Sequence, residues 1–344
     1  MLSLAMLMQS HNNIFELNNV FDPNKVAEIY RVPYQLRAKE AEIWAQKNQI
    51  QSSAKDSKKV GLLLIDIQNT FCIPDFELFV NGAVEDNIRL CEFIYRNMGT
   101  ISEIISTMDS HTAMQIFHPI FWIDKTGEHP APGTIISYAE VQQKVWRVNL
   151  ELADSLTNGD VEQLERHALY YVKKLSEDDK YPLTVWTYHS MLGGIGHALV
   201  SAVEEAVFFH SIARKSQTSF ELKGSNPLTE NYSVLSPEVI DSADGRSIAS
   251  KNNNLIGKLL SFDMLIIAGQ AKSHCVAWTI DNLLTEIKNS DASLAKKIYL
   301  LEDCMSPVVI PNVIDFTSQA DAAFEKFANA GMNVVKSTDN LFQI

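Results

Sequence analysis

Apolar and polar positions fall into blocks along this chain, and the blocks repeat as a run of strand length followed by a stretch with helical spacing. Val60-Gly-Leu-Leu-Leu-Ile65 is almost continuously apolar, the pattern of a strand buried on both faces of a parallel sheet. The spacing then predicts a helix from Glu85 to Tyr95 and a second buried strand from Ile101 to Met108. Leu183–Trp186 and Ala206–Ile212 read as further strands, the latter shortly before Phe220–Lys223. Leu265-Ile-Ile-Ala268 is another. After it, Val276, Ile280, Leu283, Leu284 and Ile287 recur on one helical face, which puts Cys275 in the first turn of a helix. The last two strands are expected in Lys296–Asp303 and Met332–Val335, on either side of a helix from about Phe316 to Ala330. Strands alternating with helices predict an α/β fold of three layers, α/β/α, around a central parallel sheet.

Two regions depart from that rhythm. Residues 1–57 mix helical patterns with Pro23 and Pro33 and end in the polar segment Gln51–Lys59, so they read as an N-terminal helical extension and linker before a domain spanning 58–344. Between about 112 and 182 the sheet pattern breaks at Phe117-His118-Pro119 and His129-Pro-Ala-Pro132-Gly133, then becomes helical from Val161 to Leu175. An insertion of this length at a site face is expected to act as a lid. The apolar start, Met1–Met8, is too short to span a bilayer and lacks a basic flank, so it is read as a packing segment.

Composition narrows the partners. With a formal charge of −13 over 344 residues and no Lys/Arg cluster, neither nucleic acid nor an anionic membrane surface is the expected partner, which leaves a small molecule. Cys72, Cys91, Cys275 and Cys304 are far apart with no CxxC, which predicts neither a disulfide framework nor a thiolate zinc site and suits a reducing cytoplasm.

The candidate chemistry sits where the strand pattern stops. In open α/β sheets ligands bind beyond the carboxyl ends of the strands, and there the chain places Asp66, followed by Gln68, Asn69 and Phe71, and then Asp109-Ser-His111. An Asp-x-His pair can offer an oxygen and an imidazole to a metal, although a simple hydrogen bond is the commoner use. His189 precedes Gly193-Gly194-Ile-Gly196, which has neither the lysine of a P-loop nor GxGxxG spacing and so does not read as a phosphate loop. His118 and His129 are loop histidines that could also ligate a metal. Lys223 enters a polar turn. A helix N-terminus and a nearby lysine would both favour a thiolate at Cys275. Taken alone, Cys275 reads more readily as a buried structural cysteine and Lys223 as a surface lysine.

Together, these segments resemble the isochorismatase-like cysteine hydrolases, and within them the nicotinamidases. Asp66-Ile-Gln-Asn-Thr-Phe71 is similar to the family's DxQNxF, Asp109-Ser-His111 to its DxH, and Trp186–Gly196 to its WPxHCxxGTxG. Lys223-Gly-Ser-Asn-Pro through Tyr232-Ser is similar to its KGxxP…YS, and Ala268–Val276 to its GxATDxCV, all in collinear order. The resemblance implies a Rossmann-type fold and a catalytic triad of Asp66, Lys223 and Cys275. It also implies an oxyanion hole at the N–H groups of Ala271 and Cys275, with a cis peptide between Gln270 and Ala271. Asp109, His111 and His189 would ligate a divalent metal, zinc. Phe71, Trp186 and Tyr232 would contact substrate. The implied reaction is hydrolysis of nicotinamide to nicotinate and ammonia through a thioester, in a homo-oligomer. Another small amide, a carbamoyl compound or a vinyl ether would suit the same machinery, and a non-catalytic binding protein on the same fold is the reading of another class. Thr187, Tyr188, Ser190, Lys272, Ser273 and Gln115 depart from the family pattern around the pocket and leave the substrate open.

Overall fold

The computed structural model describes residues 20–178, 180–310 and 314–342; the apolar start at Met1–Met8 lies outside them. Six strands form the central sheet: β1 (Val60–Ile65), β2 (Glu103–Asp109), β3 (Ser219–Lys223), β4 (Met264–Gly269), β5 (Ile298–Leu301) and β6 (Asn333–Val335). They lie in the order β6-β5-β4-β1-β2-β3 and every neighbouring pair is parallel. The architecture is the expected three-layer α/β/α.

β1 is central and buried throughout because both its faces are covered. Leu62 and Leu64 pack toward the layer holding helices α1 (Ala83–Arg96) and α2 (Ser201–Arg214). Leu63 and Ile65 face the opposite layer, built by α3 (Asn253–Ser261), α4 (Ala277–Ser290) and α5 (Thr317–Asn329). Each such side chain, moved fully out of water, contributes roughly 1.5–3 kcal/mol. At the end of β4, Gly269 (φ +135°) has no room for a side chain: a Cβ there would lie 2.1 Å from the carbonyl oxygen of Ile65. That close approach holds the ends of β4 and β1 together.

Two expected strands are something else. Ala206–Ile212 belongs to α2, with Ala202, Val203, Ala206, Val207, Phe209, His210 and Ala213 buried. One side of α2 meets the sheet layer and another meets the helix Tyr34–Lys47 of the N-terminal region, through rings such as Trp44 against Phe209. Covered on two sides, it is apolar over most of its circumference, so it presents the continuous run that a buried strand would. Leu183–Thr184 does form a short strand, but it pairs antiparallel with Ile135–Ile136 outside the central sheet.

The segment read as a linker is fastened down. Asp56 accepts from the buried guanidinium of Arg214 and from the Ser102 hydroxyl. Residues 112–182 surround a core of their own, in which Phe117, Phe121, Trp122, Leu164 and Tyr171 are fully or almost fully buried. The helix Val161–Glu177 supplies one side of that core, and Trp186 joins it from just beyond the insertion. Among the described residues, no helix is long and apolar enough to cross a membrane.

Candidate active site

Because all six strands run the same way, their carboxyl ends share one edge of the sheet. The four adjacent ends of β4, β1, β2 and β3 deliver Cys275, Asp66, Asp109 and Lys223, and Asp109 is paired in register with Lys223. The chain leaves β1 with Asp66 in the left-handed region (φ 48°), a conformation that Asp tolerates better than most residues. Its N–H donates to Thr107 Oγ1 at 3.0 Å, and that hydroxyl donates back to Asp66 Oδ1. Gln68 ties β1 to β2 by exchanging two 2.8 Å bonds with the backbone of Asp109, and Asn69 Nδ2 donates to the Ile195 carbonyl.

Lys223 is the hub. Its Nζ lies 2.8 Å from Asp109 Oδ1, 2.9 Å from Asp66 Oδ2, 2.8 Å from the Asn231 carbonyl and 3.5 Å from Cys275 Sγ. Burial works against the ammonium, but the carboxylates of Asp109 and Asp66 outweigh it and hold Lys223 well above the usual lysine range. Burial pushes the Asp66 carboxyl up, against the pull of Lys223.

Cys275 stands in a single π-helical turn, Lys272–Val276, which precedes α4. The expected position in the first turn of the α-helix is therefore corrected by one turn; such π turns recur at functional sites. The expected thiolate is also corrected. Burial pushes the thiol well above its ordinary range, Lys223 opposes this, and the neighbouring Asp66 and Asp109 add to the rise. The peptide between Gln270 and Ala271 is cis.

Beside this cluster, Asp109, His111 and His189 bring one ligand atom each within 4.8 Å of one another, all three residues buried. His111 Nε2 is 2.7 Å and His189 Nε2 3.4 Å from Asp109 Oδ2. Each imidazole is held from behind, His111 Nδ1 by the Gly224 carbonyl at 3.0 Å and His189 Nδ1 by that of Thr187 at 2.8 Å. That leaves both Nε2 atoms facing one carboxylate oxygen, the donor set and outer support that suit a divalent metal. Gly224 (φ +83°) makes room for it, since a Cβ there would lie 2.5 Å from His111 Cε1. His118 is buried with its Nδ1 on the Ala113 carbonyl and its Nε2 unpartnered, and its ring centroid is 6.0 Å from those of His111 and His189. His129 is exposed and bonds the Trp122 carbonyl. Neither is part of the three-residue cluster.

A pocket opens onto both clusters. Phe71, Trp186, Tyr232, Ala271 and Cys275, all singled out in the sequence, line it together with Asp109, His189 and Lys223. The Trp186 indole donates to the Tyr232 hydroxyl at 3.0 Å, which fixes that wall. Two lining residues carry no sequence signal. Glu230 lies in what reads as a solvated polar turn, yet it is buried, and burial pushes its carboxyl up to about 7. His274 looks like a spacer before the cysteine, yet its imidazole forms part of the wall.

No protein-family model matches the sequence, and no curated protein matches it. Solved structures do. A nicotinamidase/pyrazinamidase of Acinetobacter baumanii aligns with a TM-score of 0.50 at 17% identity, over 83% of this chain and 99% of that one. The yeast nicotinamidase Pnc1p aligns at 0.49 with 17% identity, over 80% and 99%. N-carbamoylsarcosine amidase from Thermoplasma acidophilum aligns at 0.40 with 14% identity, over 82% of this chain and 99% of that one. At these identities the likeness is one of fold: the chain shares the three-layer α/β/α architecture of the Acinetobacter nicotinamidase/pyrazinamidase along nearly the whole of that protein.

Proposed function

We propose that this chain is a cysteine-nucleophile amidohydrolase that converts nicotinamide to nicotinate and ammonia. The observation that carries the proposal is the contact of one buried ammonium, Lys223, with Asp66, Asp109 and the Cys275 sulfur beside a single pocket.

The protonation states suit a concerted attack. Asp66 takes the thiol proton as Sγ bonds to the amide carbon, and Lys223 stabilises the negative charge as it passes from carboxylate to sulfur and on to the carbonyl oxygen. The N–H groups of Ala271 and Cys275 are the candidate donors to that oxyanion. Collapse breaks the C–N bond; Asp66 returns the proton to the leaving nitrogen, giving ammonia and a thioester. Water then gives a proton to Asp66 and its oxygen to the acyl carbon, releasing the acid and restoring the thiol. A zinc ion held by Asp109, His111 and His189 would supply a Lewis-acidic anchor for a donor atom of the substrate. Phe71 and Trp186 are placed to stack on a flat ring.

Ammonia release from nicotinamide by the zinc-supplemented protein, and its loss in Cys275→Ala, tests the proposal. No release from nicotinamide, with release from a carbamoyl compound or another small amide, would keep the machinery and move the substrate. No release from any of them would leave the binding-protein reading.

A further inference from the structure

Next to the candidate nucleophile, His274 is 4% exposed and lines the pocket. Its Nδ1 is 2.8 Å from Ser273 Oγ, and that same oxygen accepts the N–H of Val308 at 3.0 Å. Ser273 is fully buried, and among the described residues its hydroxyl proton has one acceptor within reach, His274 Nδ1. Ser273 therefore donates, Nδ1 accepts, and a neutral imidazole in that tautomer carries its proton on Nε2. Burial keeps the ring neutral, pushing it down to about 3. The Nε2 atom is buried and has no hydrogen-bond partner among the described residues. Phe316, Tyr181, Tyr232 and Trp186 surround the ring, with centroids from 4.5 Å (Phe316) to 5.6 Å (Trp186) away. A neutral donor left unmet at the wall of a binding pocket points to an acceptor that arrives with the ligand.

We propose that His274 is a specificity-determining residue whose Nε2–H donates to a second acceptor on the substrate, besides the oxygen of the scissile amide. The inference rests on the amidohydrolase reading and narrows its substrate class to flat heteroaromatic amides bearing an additional neutral acceptor, a ring nitrogen or ring carbonyl. A carboxylate is disfavoured, because a neutral N–H among aromatic rings does not replace the hydration that an ion gives up.

The test measures binding to the full chain carrying Cys275→Ala, in zinc-supplemented buffer. The probes are benzamide, pyridine-3-carboxamide, the diazine carboxamides and 6-oxo-1,6-dihydropyridine-3-carboxamide. At least one amide with a ring nitrogen or ring carbonyl should bind about tenfold tighter than benzamide, whose ring offers no acceptor, the net value of one buried neutral hydrogen bond. Adding His274→Phe should abolish that preference, and His274→Gln, which keeps an N–H donor, should retain part of it. A preference that is absent, or that persists in His274→Phe, overturns the proposal. Nitrogen-15 correlation spectra of the unsubstituted protein provide a test that needs no variant to fold: the His274 proton should be on Nε2, and a bare Nε2 overturns the proposal. The two readings fail separately. A His274-dependent preference without ammonia release from any amide by the Cys275 protein refutes hydrolysis alone. Ammonia release with selectivity indifferent to His274 refutes this inference alone.

Discussion

The ammonium of Lys223 and the carboxylate of Asp66 meet at 2.9 Å, with their side chains 2% and 0% exposed. Two ions held this far from water are stable only as partners, because either one left alone keeps its desolvation cost without its Coulomb return. Lys223→Met is therefore expected to lower unfolding stability by about 3–5 kcal/mol in urea titrations and to abolish ammonia release. A variant that kept its stability would show that Asp66 and Asp109 do not depend on this cation.

Alkylation kinetics report the state of the nucleophile. Since burial raises the Cys275 thiol well above its ordinary range, the free protein should react with iodoacetamide at neutral pH no faster than an unperturbed thiol. Fast, selective labelling of Cys275 at pH 6 would mean that a resting thiolate exists. Cys275→Ala should reduce turnover by at least about 10³-fold, the scale on which loss of a covalent nucleophile is felt.

Metal content tests the second cluster. His189→Ala removes one of three convergent ligand atoms and should reduce bound zinc about tenfold or more at fixed free zinc. Unchanged content in that variant, with loss in His118→Ala, would transfer the site to His118. Gly224→Ala should also lose zinc although it removes no ligand, because its new methyl group would collide with His111.

Glu230 gives the metal-free protein a pH signature. Its carboxyl rises from an ordinary 4.5 to about 7 through burial, so across that window the folded chain binds a proton that the unfolded chain has released. Stability should then fall as pH rises from about 4.5 to 7. Glu230→Gln should flatten this dependence and be more stable than the unsubstituted chain at pH 8. An unchanged slope in chelator-treated protein would refute the assignment.

The sheet was legible in the sequence where burial on both faces writes a continuous apolar run, as in Val60–Ile65 and Leu265–Ala268. The same signal misled at Ala206–Ile212, since a helix covered on two sides writes a similar run and its second cover, the helix Tyr34–Lys47, lies far away in sequence. Asp66, Asp109, His111, His189, Lys223 and Cys275 were legible as pieces of collinear motifs, and the structure brings them to one sheet edge. The π turn under Cys275 depends on anchors such as Val308 N–H on Ser273, a contact that no local pattern encodes. Glu230 and His274 were hidden for a related reason, because polar residues in turns look solvated until the rest of the chain closes over them.

The insertion has one more consequence. It departs from the sheet just after His111 and comes back through Trp186 and His189, so its two roots are themselves parts of the site. Near the returning root, Tyr181 donates to the Ser273 carbonyl and Lys180 lies 4.2 Å over the Trp278 ring, which rivets the cap to the segment carrying Cys275. Its outer parts, built on a separate core, are free of that duty. Changes confined to the separately packed outer part are therefore expected to leave the reacting groups in register, whereas changes at the roots reach them directly.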